Sequence, residues 1–165
     1  MKHKIVFDLD GVLRDINFGL FKKYLIPYPK EWFWTYKGRD IFDWMEFDEF
    51  DIIQNCNPTE YLKIVKKHFN GDVEIWTSQP EEWIPFTKEW IHKNIGKTCK
   101  VLFLSNEEKR DKLDKNNDIL LVDDSPCFKN FINVITIDRP YNRLIEVNKR
   151  LCSPQELDNF IKKNK

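Results

Sequence analysis

The sequence has no excess of either charge: 27 Lys and Arg stand against 27 Asp and Glu. No net field therefore draws it toward nucleic acid or a membrane surface, although a local patch is compatible with that balance. Cysteine is scarce. Cys56, Cys99, Cys127 and Cys152 form no C-x-x-C pair, and no histidine adjoins them. That spacing argues against a zinc site or a disulfide framework and predicts free thiols in a reducing cytosol. No apolar run approaches the roughly 18 residues of a membrane span. The opening MKHKIVFDLDG has only three apolar residues in a row before Asp8, which predicts no secretory signal of ordinary form. There is no internal repeat and no low-complexity tract. A chain of 165 residues fits one domain with room for a modest insertion.

Aromatic residues are plentiful, at 15%, and unevenly spread. Many fall in YPKEWFWTYKGRDIFDWMEFDEF, where no clean period emerges; residues 31–53 are expected to form a small, partly helical subdomain. Elsewhere the pattern is regular. Short apolar runs at 4–7, 72–76, 100–104, 118–124 and 133–137 predict strands. Helices are expected over 17–25, with Phe18, Phe21 and Leu25 on one face, then from Asn57-Pro58 to His68, over 85–94, and from Ser153. Apolar strands alternating with helices indicate an α/β domain with a parallel sheet covered on both faces.

Sheets of this kind place their sites at the carboxyl ends of the strands. The first strand ends in Asp8-Leu9-Asp10, the second in Thr77-Ser78, and the fourth in Asp123-Asp124. Each cluster alone could be a turn or a helix cap. Four carboxylates and two hydroxyls on one rim exceed what capping needs. Oxygen donors without His or Cys suit a hard cation, and Mg²⁺ above all, because it leaves positions for a phosphate ligand. A carboxylate beside such a cation can attack phosphorus, and a second one two residues on can serve as acid. A phosphoryl group also needs a fixed positive charge. Lys109, Arg110, Lys112 and Lys115 are the candidates in NEEKRDKLDK.

Asp8-Leu9-Asp10-Gly11-Val12-Leu13 resembles the first motif of the haloacid dehalogenase superfamily of phosphohydrolases. Ile75-Trp76-Thr77-Ser78 and Leu120-Leu121-Val122-Asp123-Asp124 are similar to its second and fourth motifs, in the same order. DLDGVLRD, IWTSQP, KEWIHKNIG, RDK and LLVDDSP together resemble the 5'(3')-deoxyribonucleotidase branch. Ser125 departs from that branch, which has Arg there, and so does Gln79, which precedes the proline.

The resemblance implies a HAD-like, doubly wound, five-stranded parallel sheet, with a core over 1–14 and 71–165 and a small aromatic-rich helical cap over 15–70. It implies Asp8 as nucleophile and Asp10 as acid/base. It assigns Thr77, Ser78 and Lys112 to the phosphoryl group, Lys112 through the R-D-K position, and Asp8, Asp10, Asp123 and Asp124 to Mg²⁺, Asp10 through its backbone carbonyl. The expected activity is a Mg²⁺-dependent phosphomonoesterase working through an aspartyl-phosphate. Its expected partner is a small phosphorylated substrate, a (deoxy)nucleoside monophosphate, with no stable nucleic-acid complex. Phe18, Trp32 and Trp44 are candidates to stack on the base. Trp90 is expected to pack its helix on the sheet.

Two other readings remain. One is a phosphatase of the same superfamily acting on a polynucleotide 3'-phosphate or a metabolite, a choice set by the cap. The other is a non-enzymatic Mg²⁺-binding phospho-receiver. A receiver would carry its phosphorylated aspartate at the end of the third strand, where this chain has Leu104-Ser105-Asn106.

Overall fold

The computed structural model describes residues 3–32, 34–40 and 50–165. Six parallel strands form the main sheet: β1 (Lys4–Phe7), β4 (Glu74–Thr77), β5 (Lys100–Phe103), β6 (Ile119–Asp123), β7 (Val134–Ile137) and β8 (Arg150–Leu151). Their order is β5-β4-β1-β6-β7-β8. The sixth strand is a correction to the expected five. It is only two residues long, parallel to β7 through the pairs Thr136↔Arg150 and Ile137↔Leu151. So short a strand leaves no alternation to read.

Alternation along the strands divides the core. Ile5, Phe7, Ile75, Val122 and Ile135 point to one face, where α3 (Glu60–Phe69), α4 (Ile84–Asn94) and α6 (Pro154–Asn164) lie. Val6, Trp76, Leu121 and Val134 point to the other, covered by α5 (Asn106–Lys115) and the 3-10 turn Pro126–Phe128. The chain is thus an α/β domain with helices on both sides of a parallel sheet. Among the described residues no helix is long and apolar enough to cross a membrane.

The helix after Asn57-Pro58 starts two residues later than expected. Thr59 is its N-cap, in extended backbone. Its N–H and hydroxyl donate to the carbonyls of Leu13 and Val12, which turns the side chain back toward the loop after β1, and it makes no side-chain cap bond. α3 falls inside the expected cap range, yet it packs on the sheet: Phe69 meets Phe7 edge to face at 5.5 Å. Lys67 and His68 reach Asp158 of α6 at 2.8 and 2.7 Å.

The inserted segment between β1 and α3 contains α1 (Ile16–Tyr24), an antiparallel hairpin of β2 (Thr35–Tyr36) and β3 (Arg39–Asp40), and α2 (Phe50–Asn55). The hairpin was not expected in a segment read as partly helical. Its turn is Lys37-Gly38, both at positive φ, the combination of a type I′ hairpin turn. The apolar face read in the sequence is not the one that α1 buries. Ile16 and Leu20 are buried, whereas Phe18, Phe21 and Leu25 are exposed. Trp90 lies wholly inside and donates its indole N–H to the carbonyl of Cys56 at 2.8 Å, which ties α4 to the insert as well as to the core.

Candidate functional site

β1 lies between β4 and β6, so the three polar strand ends converge at one edge. Asp8 follows β1, Thr77 ends β4 and Asp123 ends β6. Carboxylate oxygens of Asp8, Asp123 and Asp124 come within 4.8 Å of one another, and all three residues are buried. Together with Asp10 and Ser78 they line a cleft of about 530 Å³. Thr77 lies beneath this lining, 1% exposed.

Lys109, not Lys112, is the cation of the rim. Its ammonium donates to Asp8 at 2.7 Å and to Asp123 at 3.2 Å. Lys112 is half-buried, with its ammonium 6.0 Å from the centre of the Trp76 ring. The reason is helix direction. α5 starts at the rim behind Ser105, so Lys109 falls in its early turns. Lys112 is roughly 4.5 Å further along the axis. The readable signal is Ser105-Asn106-Glu107-Glu108. Ser105 accepts from the Glu108 N–H at 3.1 Å, and the Glu108 carboxylate accepts from the Ser105 N–H at 2.7 Å. This capping box fixes where the helix begins.

Burial drives the electrostatics. It pushes the Asp8 carboxyl well above its ordinary range; Asp123 and Asp124 add to the rise and Lys109 opposes it. It pushes Asp124 up to about 7, helped by the neighbouring Asp123. Burial alone would lower the Lys109 ammonium, but Asp123 and Asp8 hold it above its usual value. Three buried carboxylates share one ammonium, and the Arg139 guanidinium offsets part of the charge at Asp124. Hard oxygen donors in that arrangement fit a divalent cation such as Mg²⁺.

The surroundings hold the cluster rigidly. The Ser125 N–H donates to Asp123 at 2.7 Å, and the Tyr141 hydroxyl donates to Asp124. Asn142 donates to the Asp124 carbonyl at 2.8 Å and is itself gripped by Arg150 of β8 at 2.6 Å. Gly11 has φ of 79°, and a Cβ there would overlap the Asp124 carboxylate and sit 2.6 Å from the Tyr141 hydroxyl. Only glycine lets the loop pass so close.

Asp10 faces the cleft from beside this cluster. Its two carboxylate oxygens accept from Arg14 at 2.6 and 2.8 Å. Arg14 and Tyr141 were not anticipated. Arg14 sits three residues after Gly11 in a stretch with no period, and Tyr141 belongs to a 3-10 turn after β7. Of the aromatic candidates, Trp32 lines the cleft and its ring lies 5.8 Å from that of Tyr141. Phe18 is not part of that lining, and Trp44 lies outside the described residues. Trp34 and Trp83 complete an aromatic wall. No protein-family model matches this chain, and no curated protein matches it.

Proposed function

We propose that the protein is a Mg²⁺-dependent phosphomonoesterase of the haloacid dehalogenase type, acting on a nucleoside monophosphate through a phosphorylated Asp8. One observation carries the reading. A buried lysine bridges the first aspartate of a D-x-D-G loop and the aspartate that ends the neighbouring strand, at distances of 2.7 and 3.2 Å. A bound Mg²⁺, held by Asp8, Asp123 and Asp124, with the Asp10 carbonyl as a further donor, would offset the charge on the phosphoryl oxygens.

The chain's own residues do the rest. An Asp8 oxygen attacks phosphorus as the ester P–O bond breaks, and Asp10 gives its proton to the departing oxygen. Asp10 then takes a proton from water, which attacks phosphorus and breaks the P–O bond to Asp8, releasing phosphate. Lys109 neutralises charge on Asp8 and on the transferring group, while Ser78 at the cleft surface offers a hydroxyl to a phosphoryl oxygen. Thr77, just beneath, supports the strand end.

Phosphate release should require Mg²⁺ and stop in EDTA. Asp8→Asn should abolish turnover while leaving the protein folded. A metal-free protein that works equally well, or a fully active Asp8→Asn variant, would overturn the mechanism.

The aromatic wall supports a nucleoside over a small metabolite. Stacking on one ring is worth roughly 1–3 kcal/mol, so Trp32→Ala should raise KM for a nucleotide about tenfold. It should leave p-nitrophenyl phosphate nearly untouched. Equal losses on both esters would make Trp32 a packing residue and remove that support.

A further inference from the structure

Arg14 is an expensive residue for this fold. It is 0% exposed, and a buried guanidinium is strongly unfavourable unless its donors are satisfied. Here they are well used. Nε and Nη2 donate to the two oxygens of Asp10 at 2.6 and 2.8 Å, and Nη1 donates to the Ile53 carbonyl at 3.1 Å and the Thr87 hydroxyl at 3.0 Å. The network continues. Thr87 donates to the Gln79 amide oxygen at 2.7 Å, and the Gln79 amide nitrogen lies 3.4 Å from the Thr77 hydroxyl oxygen. A planar guanidinium with fixed donors allows one orientation of its partners.

We propose that Arg14 is a positioning residue for the reaction, one that acts through Asp10. Its fork fixes the Asp10 carboxylate against the wall of the cleft and leaves each oxygen a second lone pair for the proton in transit. Through Thr87 and Gln79 the same guanidinium sets the Thr77 hydroxyl, so that the acid/base and the end of β4 are held as one unit. The simpler role would be an ion pair that only ties the loop to α2 and α4. The two roles differ in what they do to leaving groups. The inference rests on the phosphoryl-transfer reading above.

Release of the leaving group in the first turnover is measured from a nucleoside monophosphate, whose alkoxide must be protonated as it leaves, and from p-nitrophenyl phosphate, whose phenolate need not be; the hydrolysis of phospho-Asp8 that follows is common to both and is left out of the comparison. Arg14→Lys keeps the charge and loses the fork. It should slow first-turnover release of the nucleoside about tenfold or more, with little change in KM and little change in the first-turnover release of p-nitrophenolate. In an Asp10→Asn background the same substitution should cost almost nothing further, because the two residues act as one unit. Equal losses on the two esters, or the same loss with and without the Asp10 carboxylate, would overturn the proposal. Should Arg14→Lys fail to fold, Thr87→Val decides. It removes one acceptor at nearly constant volume and should shift the ratio of the two activities in the same direction; an unchanged ratio would overturn the inference. A wild type that releases phosphate from neither ester removes the phosphatase reading and this role with it. An active phosphatase whose variants fail the ratio test loses only the role of Arg14.

Discussion

Lys109 and Lys112 show how much one helical turn decides. Both are basic and both precede the strand that ends in Asp123-Asp124. Only Lys109 lies in the early turns of α5, where its ammonium reaches Asp8 and Asp123. Lys109→Met should reduce turnover by about 10²-fold or more, because a transition-state cation is lost. It should also destabilise the metal-free protein by roughly 3–5 kcal/mol, since two buried carboxylates lose their partner. Lys112→Ala should leave kcat within about twofold of wild type. A surface substitution away from a site rarely moves either property. The reverse pattern, with Lys112 essential and Lys109 dispensable, would mean that the rim seen here is not where the chemistry occurs.

At the scale of elements, α5 delivers that lysine, and its start is set by the reciprocal bonds between Ser105 and Glu108. Ser105→Ala should cost about 1 kcal/mol in a urea melt. The double variant Ser105→Ala/Glu108→Ala should lose less than the sum of its two single losses, because the two bonds act together. Full additivity would show that the box contributes nothing as a unit. The sheet and its helices were legible because buried strands and amphipathic helices write their burial into the residue pattern. Asp8, Asp10, Thr77-Ser78 and Asp123-Asp124 were legible because strand ends in a parallel sheet share one edge. The inner face of α1 was not. Phe18 and Phe21 have the expected spacing, yet Ile16 and Leu20 fill the core and leave both rings exposed. Apolar spacing alone cannot tell a ring that packs inward from one left at the surface. β2 and β3 were missed because two-residue strands carry no period. Arg14 was missed for a further reason: a buried charge is defined by its partners Asp10, Ile53 and Thr87, which are up to 73 positions away in sequence.

Across the whole molecule, charge is segregated to opposite ends of the sheet. The carboxyl edge gathers Asp8, Asp123 and Asp124 around Lys109. The opposite edge has the converse arrangement at Glu74, one carboxylate among donors from three adjacent strands. Lys4 of β1 and Lys100 of β5 lie 2.8 and 2.9 Å from it, and the Trp76 indole N–H donates to it at 2.8 Å. Burial would raise the Glu74 carboxyl, but these three donors outweigh it and bring the value down to about 2 from an ordinary 4.5. A carboxyl depressed in the folded state stabilises the fold above its unfolded value, and that contribution is lost as pH falls from about 4.5 to 2. Glu74→Gln should therefore be less stable than wild type at pH 7. The deficit should be about 1 kcal/mol, below what the shift alone implies, because both lysines are partly open to solvent and screened. It should shrink steadily from pH 4.5 downward as the wild-type carboxylate takes up its proton. Urea melts of both proteins at pH 7, 4.5 and 3 measure it. If the deficit is the same at all three, packing at position 74 matters and the charge does not. If it narrows with acid, the ion pairs that join β1, β4 and β5 at the edge opposite the cleft are a pH-dependent part of the sheet's stability.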